Sequence, residues 1–184
     1  MKKYRNGFSL IEVMVALVIL VIGLIGIFNL HTVAKQSSFE SFQQTQAAYF
    51  ASDIISRMKL NKPELANYAG TYNGSLADPG TSCDVAVGAN TICTNTETRD
   101  WDKYQWEQLF SGSSEATGGR DIGGLDKPIA CIRVQNTGDV TVVMTWRGIR
   151  EVSDGGDSAA DSFVKDCGTK NNRRRVFVIN TVII

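Results

Sequence analysis

The hydrophobic positions fall into two regimes with a break near residue 30. Residues 8–30 form an apolar run of 23 residues whose one charge is Glu12. At ~1.5 Å per residue, a helix of this length spans about 34 Å, against a bilayer hydrocarbon core of ~30 Å. The run predicts a membrane helix with a carboxylate one turn from its start. An acidic residue inside a span costs roughly 2.5–3.5 kcal/mol on insertion scales and is read as functional by default. Beyond residue 30 the pattern changes but nothing breaks the helix. Residues 31–61 contain no Pro and no Gly, and Ala47, Phe50, Ala51, Ile54, Ile55 and Met58 recur at helical spacing on one side. The spacing predicts one continuous helix over about 8–60. Residues 8–30 suit a membrane, and residues 31–61 are an amphipathic half that packs on a domain.

The remaining pattern, residues 62–184, reads as that domain. Asn61 is positioned to cap a short turn that has Pro63 in its first turn and Glu64 at the third position. Residues 66–98 show little periodicity and read as a long loop with one short strand. Asp100 is the expected cap of a helix over 101–110, with Trp106, Leu109 and Phe110 on one face. Its Trp and Tyr residues are read as packing groups rather than a binding patch. Residues 111–124 read as a linker. Residues 129–135 and 140–146 alternate around Asn136-Thr137-Gly138-Asp139, a hairpin signal. Residues 147–170 read as an acidic, Gly- and Ser-rich loop, and 176–184 as a terminal strand. The fold class is therefore α+β: a long N-terminal α-helix packed on a small antiparallel sheet of three or four strands.

Charge adds direction. The chain has 19 basic and 19 acidic residues, so bulk charge does not suggest a nucleic-acid binder. Lys2, Lys3 and Arg5 all precede the apolar run, which keeps residues 1–7 cytoplasmic and sends the rest across the membrane. The rival reading is a secretory signal cleaved after Thr32-Val33-Ala34. Against it stand the length of the apolar run and the presence of Glu12. Cys83, Cys93, Cys131 and Cys167 all follow the helix, with no Cys-x-x-Cys pair and one His, His31, in the chain. This argues against zinc. An even count in an exported domain reads as two disulfides. Three connectivities are possible. Cys83–Cys93 with Cys131–Cys167 is favoured because it needs the shortest closures, and the second bond closes the longer loop, worth about 3–5 kcal/mol in the chain-entropy model.

Gly7-Phe8-Ser9-Leu10-Ile11-Glu12-Val13-Met14 resembles the class III signal of type IV pilins and pseudopilins: short basic leader, Gly, Phe, Glu four residues on, then an apolar helix. The resemblance implies a leader at 1–7, cut by prepilin peptidase between Gly7 and Phe8, and N-methylation of Phe8. It also implies an assembly contact in which Glu12 pairs with the Phe8 amine of a neighbouring subunit, relieving a buried unpaired carboxylate. Phe8 and Glu12 are i and i+4, hence on one helix face. Gly23 and Gly26 are either ordinary membrane-helix glycines or positions that weaken the helix by ~1 kcal/mol each relative to Ala, so that it can stretch in a filament. The first third further resembles minor pilins of the PilV type, which take part in pilus assembly in a priming complex at or near the tip. Expected partners are other minor and major pilins, the prepilin peptidase, the inner-membrane assembly platform and, before assembly, membrane lipid. Expected localisation is the bacterial inner membrane with the head in the periplasm, then the pilus.

No catalytic constellation is present. The chain holds no Gly-x-Ser-x-Gly, Walker A or dinucleotide motif. Neither enzymatic activity, a cofactor nor a small-molecule substrate is expected. Asp154, Asp157 and Asp161 could contribute to a calcium site but match no calcium motif, and no metal is expected. Arg173, Arg174 and Arg175 could touch nucleic acid, but they read better as a charged strand start, so nucleic acid is not an expected partner. Two alternatives stay open: a minor pseudopilin of a type II secretion system, and a DNA-binding pilin for DNA uptake.

Overall fold

A computed structural model describes residues 7, 9–84, 92–118, 120–121 and 123–184. The chain divides into two compact units, Met1–Phe39 and Glu40–Ile184. Helix α1, Leu10–Leu60, contributes to both. In the first unit its side chains are exposed throughout the apolar run.

The second unit is an α+β head. After α1 come a 3-10 helix, Lys62–Tyr68, then β1, Gly70–Tyr72, and α2, Asn95–Ser111. Two short strands follow, β2, Ala116–Thr117, and β3, Arg120–Asp121. They form a separate antiparallel pair. Then come β4, Ile129–Val134, β5, Asp139–Arg147, the one-turn helix α3, Ser162–Asp166, and β6, Arg174–Val182. The main sheet has the order β1-β4-β5-β6, and every pair is antiparallel.

Strand alternation sorts this sheet into two faces. Ala130, Ile132, Val140, Val142, Met144 and Trp146 join Ala47, Phe50, Ala51, Ile54 and Met58 of α1 in the main core. Trp106 and Phe110 of α2 close it, with the Trp106 indole N–H donating to the Phe50 carbonyl at 2.8 Å. On the opposite face Cys131, Val143, Val164 and Cys167 form a smaller cluster. Val140 to Trp146 of β5 are thus buried on both faces. Gly138 turns the β4–β5 hairpin at φ 86°, where its Cβ-less backbone lies against the Ile183 carbonyl.

Several expectations need correction. Helix α2 begins a turn and a half earlier than Asp100. Thr94 is its cap, accepting from the Glu97 N–H, while the Glu97 carboxylate accepts from the Thr94 N–H at 2.8 Å, a reciprocal capping box. Asp100 instead lies inside the helix and pairs with Arg99 and Lys103. Asn61 makes no side-chain cap. Its amide reaches across to the Asn95 carbonyl at 2.7 Å and so ties α1 to α2. The 111–124 linker contains β2 and β3, and the 147–170 loop contains α3, both too short to show periodicity. The terminal strand runs two residues earlier at both ends than 176–184.

Candidate functional site

The N-terminal site is built from the start of α1. Gly7 is exposed, and an added Cβ there would meet nothing within 4 Å. Phe8, the expected methylation residue, lies outside the described residues, as do residues 1–6. The Ser9 carbonyl opens the helix, accepting from Glu12 N–H at 3.0 Å and Val13 N–H at 3.3 Å. Glu12 therefore sits in the first turn, where the helix dipole favours an anion. Its side chain is exposed amid Leu10, Ile11, Val13 and Val15, and among the described residues it has no ion-pair partner. The helix runs without interruption through Gly23 and Gly26, each with open space around it. A carboxylate without a partner on a wholly apolar helix surface is an unfinished arrangement in any low-dielectric setting.

In the head the charged groups of the basic run are paired with opposite charges. Glu40 accepts from the N–H groups of Ile149 at 3.0 Å and Arg150 at 3.2 Å, and from Arg175 Nε at 2.9 Å and Nη2 at 3.1 Å. Burial raises the Glu40 carboxyl, but the Arg175 guanidinium and the two N–H groups outweigh it and hold the carboxyl below its ordinary value. Arg174 is 2% exposed. It pairs with Asp154 at 2.6 Å and donates to the carbonyls of Lys165 and Cys167. Burial likewise raises Asp154, while the Gly156 N–H, Arg174 and the Asn171 N–H together keep it low. Gly156 lies so close to Arg174 that an added Cβ would fall 2.3 Å from Nη2. Arg173 pairs with Glu151 at 3.0 Å.

The basic run is therefore three separate ion pairs, and the buried Arg174 is not available to a nucleic acid. The acidic loop is likewise divided. Asp154 serves Arg174, Asp161 serves Arg133 and caps α3, and among the described residues no three His, Cys, Asp or Glu side chains converge on a metal position. His31 is exposed on α1.

Disulfides Cys83–Cys93 and Cys131–Cys167 are both formed, with Cα separations of 5.9 and 6.0 Å. The second ties the β6 side of the acidic loop to β4. Sequence reasoning did not find Glu107. It is 1% exposed and accepts from the N–H groups of Asn73, Gly74 and Leu76 at 2.6–2.9 Å, fixing the chain after β1 onto α2. An open cleft of about 600 Å³ is lined by Asn73, Lys127, Thr145, Arg147, Thr169 and Asn171. Arg147 there is held by Asp126, and Thr145 donates to the Ile129 carbonyl. The cleft has no nucleophile beside a base.

Fold and site together define an α+β protein of pilin-like architecture with a long apolar N-terminal helix. At the start of α1 one carboxylate, Glu12, lies exposed among apolar side chains. A family model described as the prokaryotic N-terminal methylation motif matches residues 2–28, the stretch that holds Gly7, Phe8 and Glu12. The motif supports a type IV pilin-like or pseudopilin protein, a structural rather than catalytic class, and with the apolar helix it is consistent with membrane anchoring. No curated protein and no solved structure matches the chain.

Proposed function

We propose that this chain is a minor type IV pilin of the PilV type that takes part in pilus assembly, in a priming complex at or near the tip. Prepilin peptidase cuts between Gly7 and Phe8 and methylates Phe8. The subunit waits in the inner membrane with its head in the periplasm and then joins the pilus with other minor and major pilins. The carrying observation is the methylation motif at residues 2–28, which covers the exposed apolar start of α1, where Glu12 has no partner among the described residues. Glu12 gives the step its chemistry: the Phe8 amine of a neighbouring subunit supplies the missing cation, and methylation leaves that charge in place. A subunit that keeps Glu12 can dock beneath another rather than only cap a filament.

Glu12→Ala tests the contact. The variant should insert into the membrane and be processed like the wild type, yet be lost from sheared pili. Normal incorporation contradicts the assembly role of Glu12. Deletion of the gene discriminates the class: loss of surface pili supports the pilus, whereas loss of protein secretion with pili intact assigns a type II secretion pseudopilin.

A further inference from the structure

The main sheet has two edges of unlike character. One is β1, three residues long. The other is β6, nine residues paired to β5 in unbroken register, with no bulge. The backbone direction along β6 follows from its flanking bonds. The Arg174 carbonyl accepts from Gly155 N–H at 3.0 Å, away from β5, whereas Ile183 N–H donates to the Gly138 carbonyl at 2.9 Å on the β5 side. On β5, Asp139 and Arg147 direct their carbonyl and N–H, respectively, away from β6, to Gln135 and Asp126. They are the register partners of Val182 and Arg174. Alternation then sends the N–H and C=O of Arg174, Val176, Val178, Asn180 and Val182 to the outer edge.

The chain covers only the beginning of that edge. The loop after β5 bonds to it through Val152 N–H on the Asn172 carbonyl and Gly155 N–H on the Arg174 carbonyl, whereas Gly148 N–H, on the Arg173 carbonyl, only extends the β5 ladder. It then leaves. From residue 176 to 182 no described residue bonds the outward N–H or C=O groups. The sequence there, Val-Phe-Val-Ile-Asn-Thr-Val, has no charge, Pro or Gly. Natural edge strands of this length carry such blocking devices, and an uncharged one without them is a template for strand addition.

We propose that residues 176–182 form the docking edge for a β-strand donated by the head of a different pilin-like subunit, which extends the sheet beyond β6. This rests on the assembly reading above. The donated strand is uncharged over about seven residues, because its side chains lie beside Val178 and Val182 on one face and Phe177 and Ile179 on the other. A second copy of this chain is the poorer occupant. Antiparallel self-pairing requires a two-fold axis normal to the sheet. That axis reverses the helix segment packed on the sheet, residues 40–60, whereas subunits entering one membrane share a direction.

The test uses the full chain. In detergent micelles, amide exchange at Val176, Val178, Asn180 and Val182 should run roughly a hundredfold faster than at Phe177, Ile179 and Thr181, which face β5. Equal protection of both sets would show the edge already covered and overturn the proposal. In cells, Val178→Pro removes one outward N–H without touching a β5 bond. Val182→Lys adds a charge beside the edge and guards against a folding defect in the proline variant. Both should be processed and inserted normally and fall about tenfold in sheared pili. Wild-type incorporation of both variants overturns the docking edge. Absence of the wild-type chain from pili overturns the assembly reading instead, and the docking edge with it. Protection of the outward amides of residues 176–182 that rises with protein concentration in the micelles would also overturn it, by assigning the edge to self-association.

Discussion

One helix, α1, serves two environments, and its two parts are built by opposite rules. Between Leu10 and Leu30 the apolar side chains point in every direction, all are exposed, and the one carboxylate has no partner among the described residues. From Glu40 onward the buried apolar groups keep to one stripe, Ala47 to Met58, with Phe42, Tyr49 and Leu60 exposed off it, and the carboxylates find cations: Glu40 with Arg175, Asp53 with Arg57. The backbone is the same. The difference is what each part buries itself in: a stripe is what a helix shows to one packed core, whereas apolar residues all round suit lipid or neighbouring helices. Removing the partner of a buried charge should destabilise the head, whereas the proposed role of Glu12 in the apolar half needs its carboxylate unpaired within its own chain.

The contrast can be attacked first at the buried Arg174 and Asp154 pair. Arg174→Ala should cost the head about 3–5 kcal/mol, because Asp154 would be left buried without a cation. Urea unfolding of the full chain in detergent, followed by Trp fluorescence, measures it. Next comes a matched pair of truncations along α1. Ile54→Ala removes a side chain from the core and should cost about 2–5 kcal/mol. Ile19→Ala, on the exposed run, should leave head unfolding unchanged.

Smaller is the pH dependence. Glu40 and Asp154 have folded-state values held below their ordinary 4.5 and 3.8. Their contribution is therefore fully present above those ordinary values and disappears as pH falls through the lower, folded-state ones. Thermal unfolding should be level from neutral pH down to about pH 5 and drop below about pH 4. Asp154→Asn should lower the plateau and flatten the drop. A melting temperature that rises on acidification contradicts these assignments. The smallest effect is at the α2 cap. Thr94→Ala should cost about 1 kcal/mol, read from the same urea curves, and Asp100→Ala should not behave as a cap mutation.

The long periodic elements were legible in the residues. The α1 stripe, the β4–β5 hairpin with its Gly138 turn and the terminal strand each repeat a pattern over six or more positions. The start of α2 was legible too, in Thr94-Asn95-Thr96-Glu97, a capping box outweighed by the more conspicuous Asp100. Strands β1, β2 and β3 have two or three residues and carry no period. The contacts of Glu40 with Arg175, of Asp154 with Arg174 and of Glu107 with three loop N–H groups join residues 20 to 135 positions apart. Only the folded loops create them. Arg173, Arg174 and Arg175 show the consequence: adjacent in sequence, they read as a charged strand start, yet each faces its own carboxylate. At the N-terminal end the reverse holds: the methylation motif matched over residues 2–28 is local in sequence and is read from residue order alone.

The central claim is that the N-terminal stretch is processed for assembly and retained, not discarded. Mass spectrometry of the chain recovered from membranes and from sheared pili tests it most directly. The mature chain should start at N-methylated Phe8 with Glu12 present. A chain starting at Lys35, after cleavage behind Ala34, or one still starting at Met1, would contradict it.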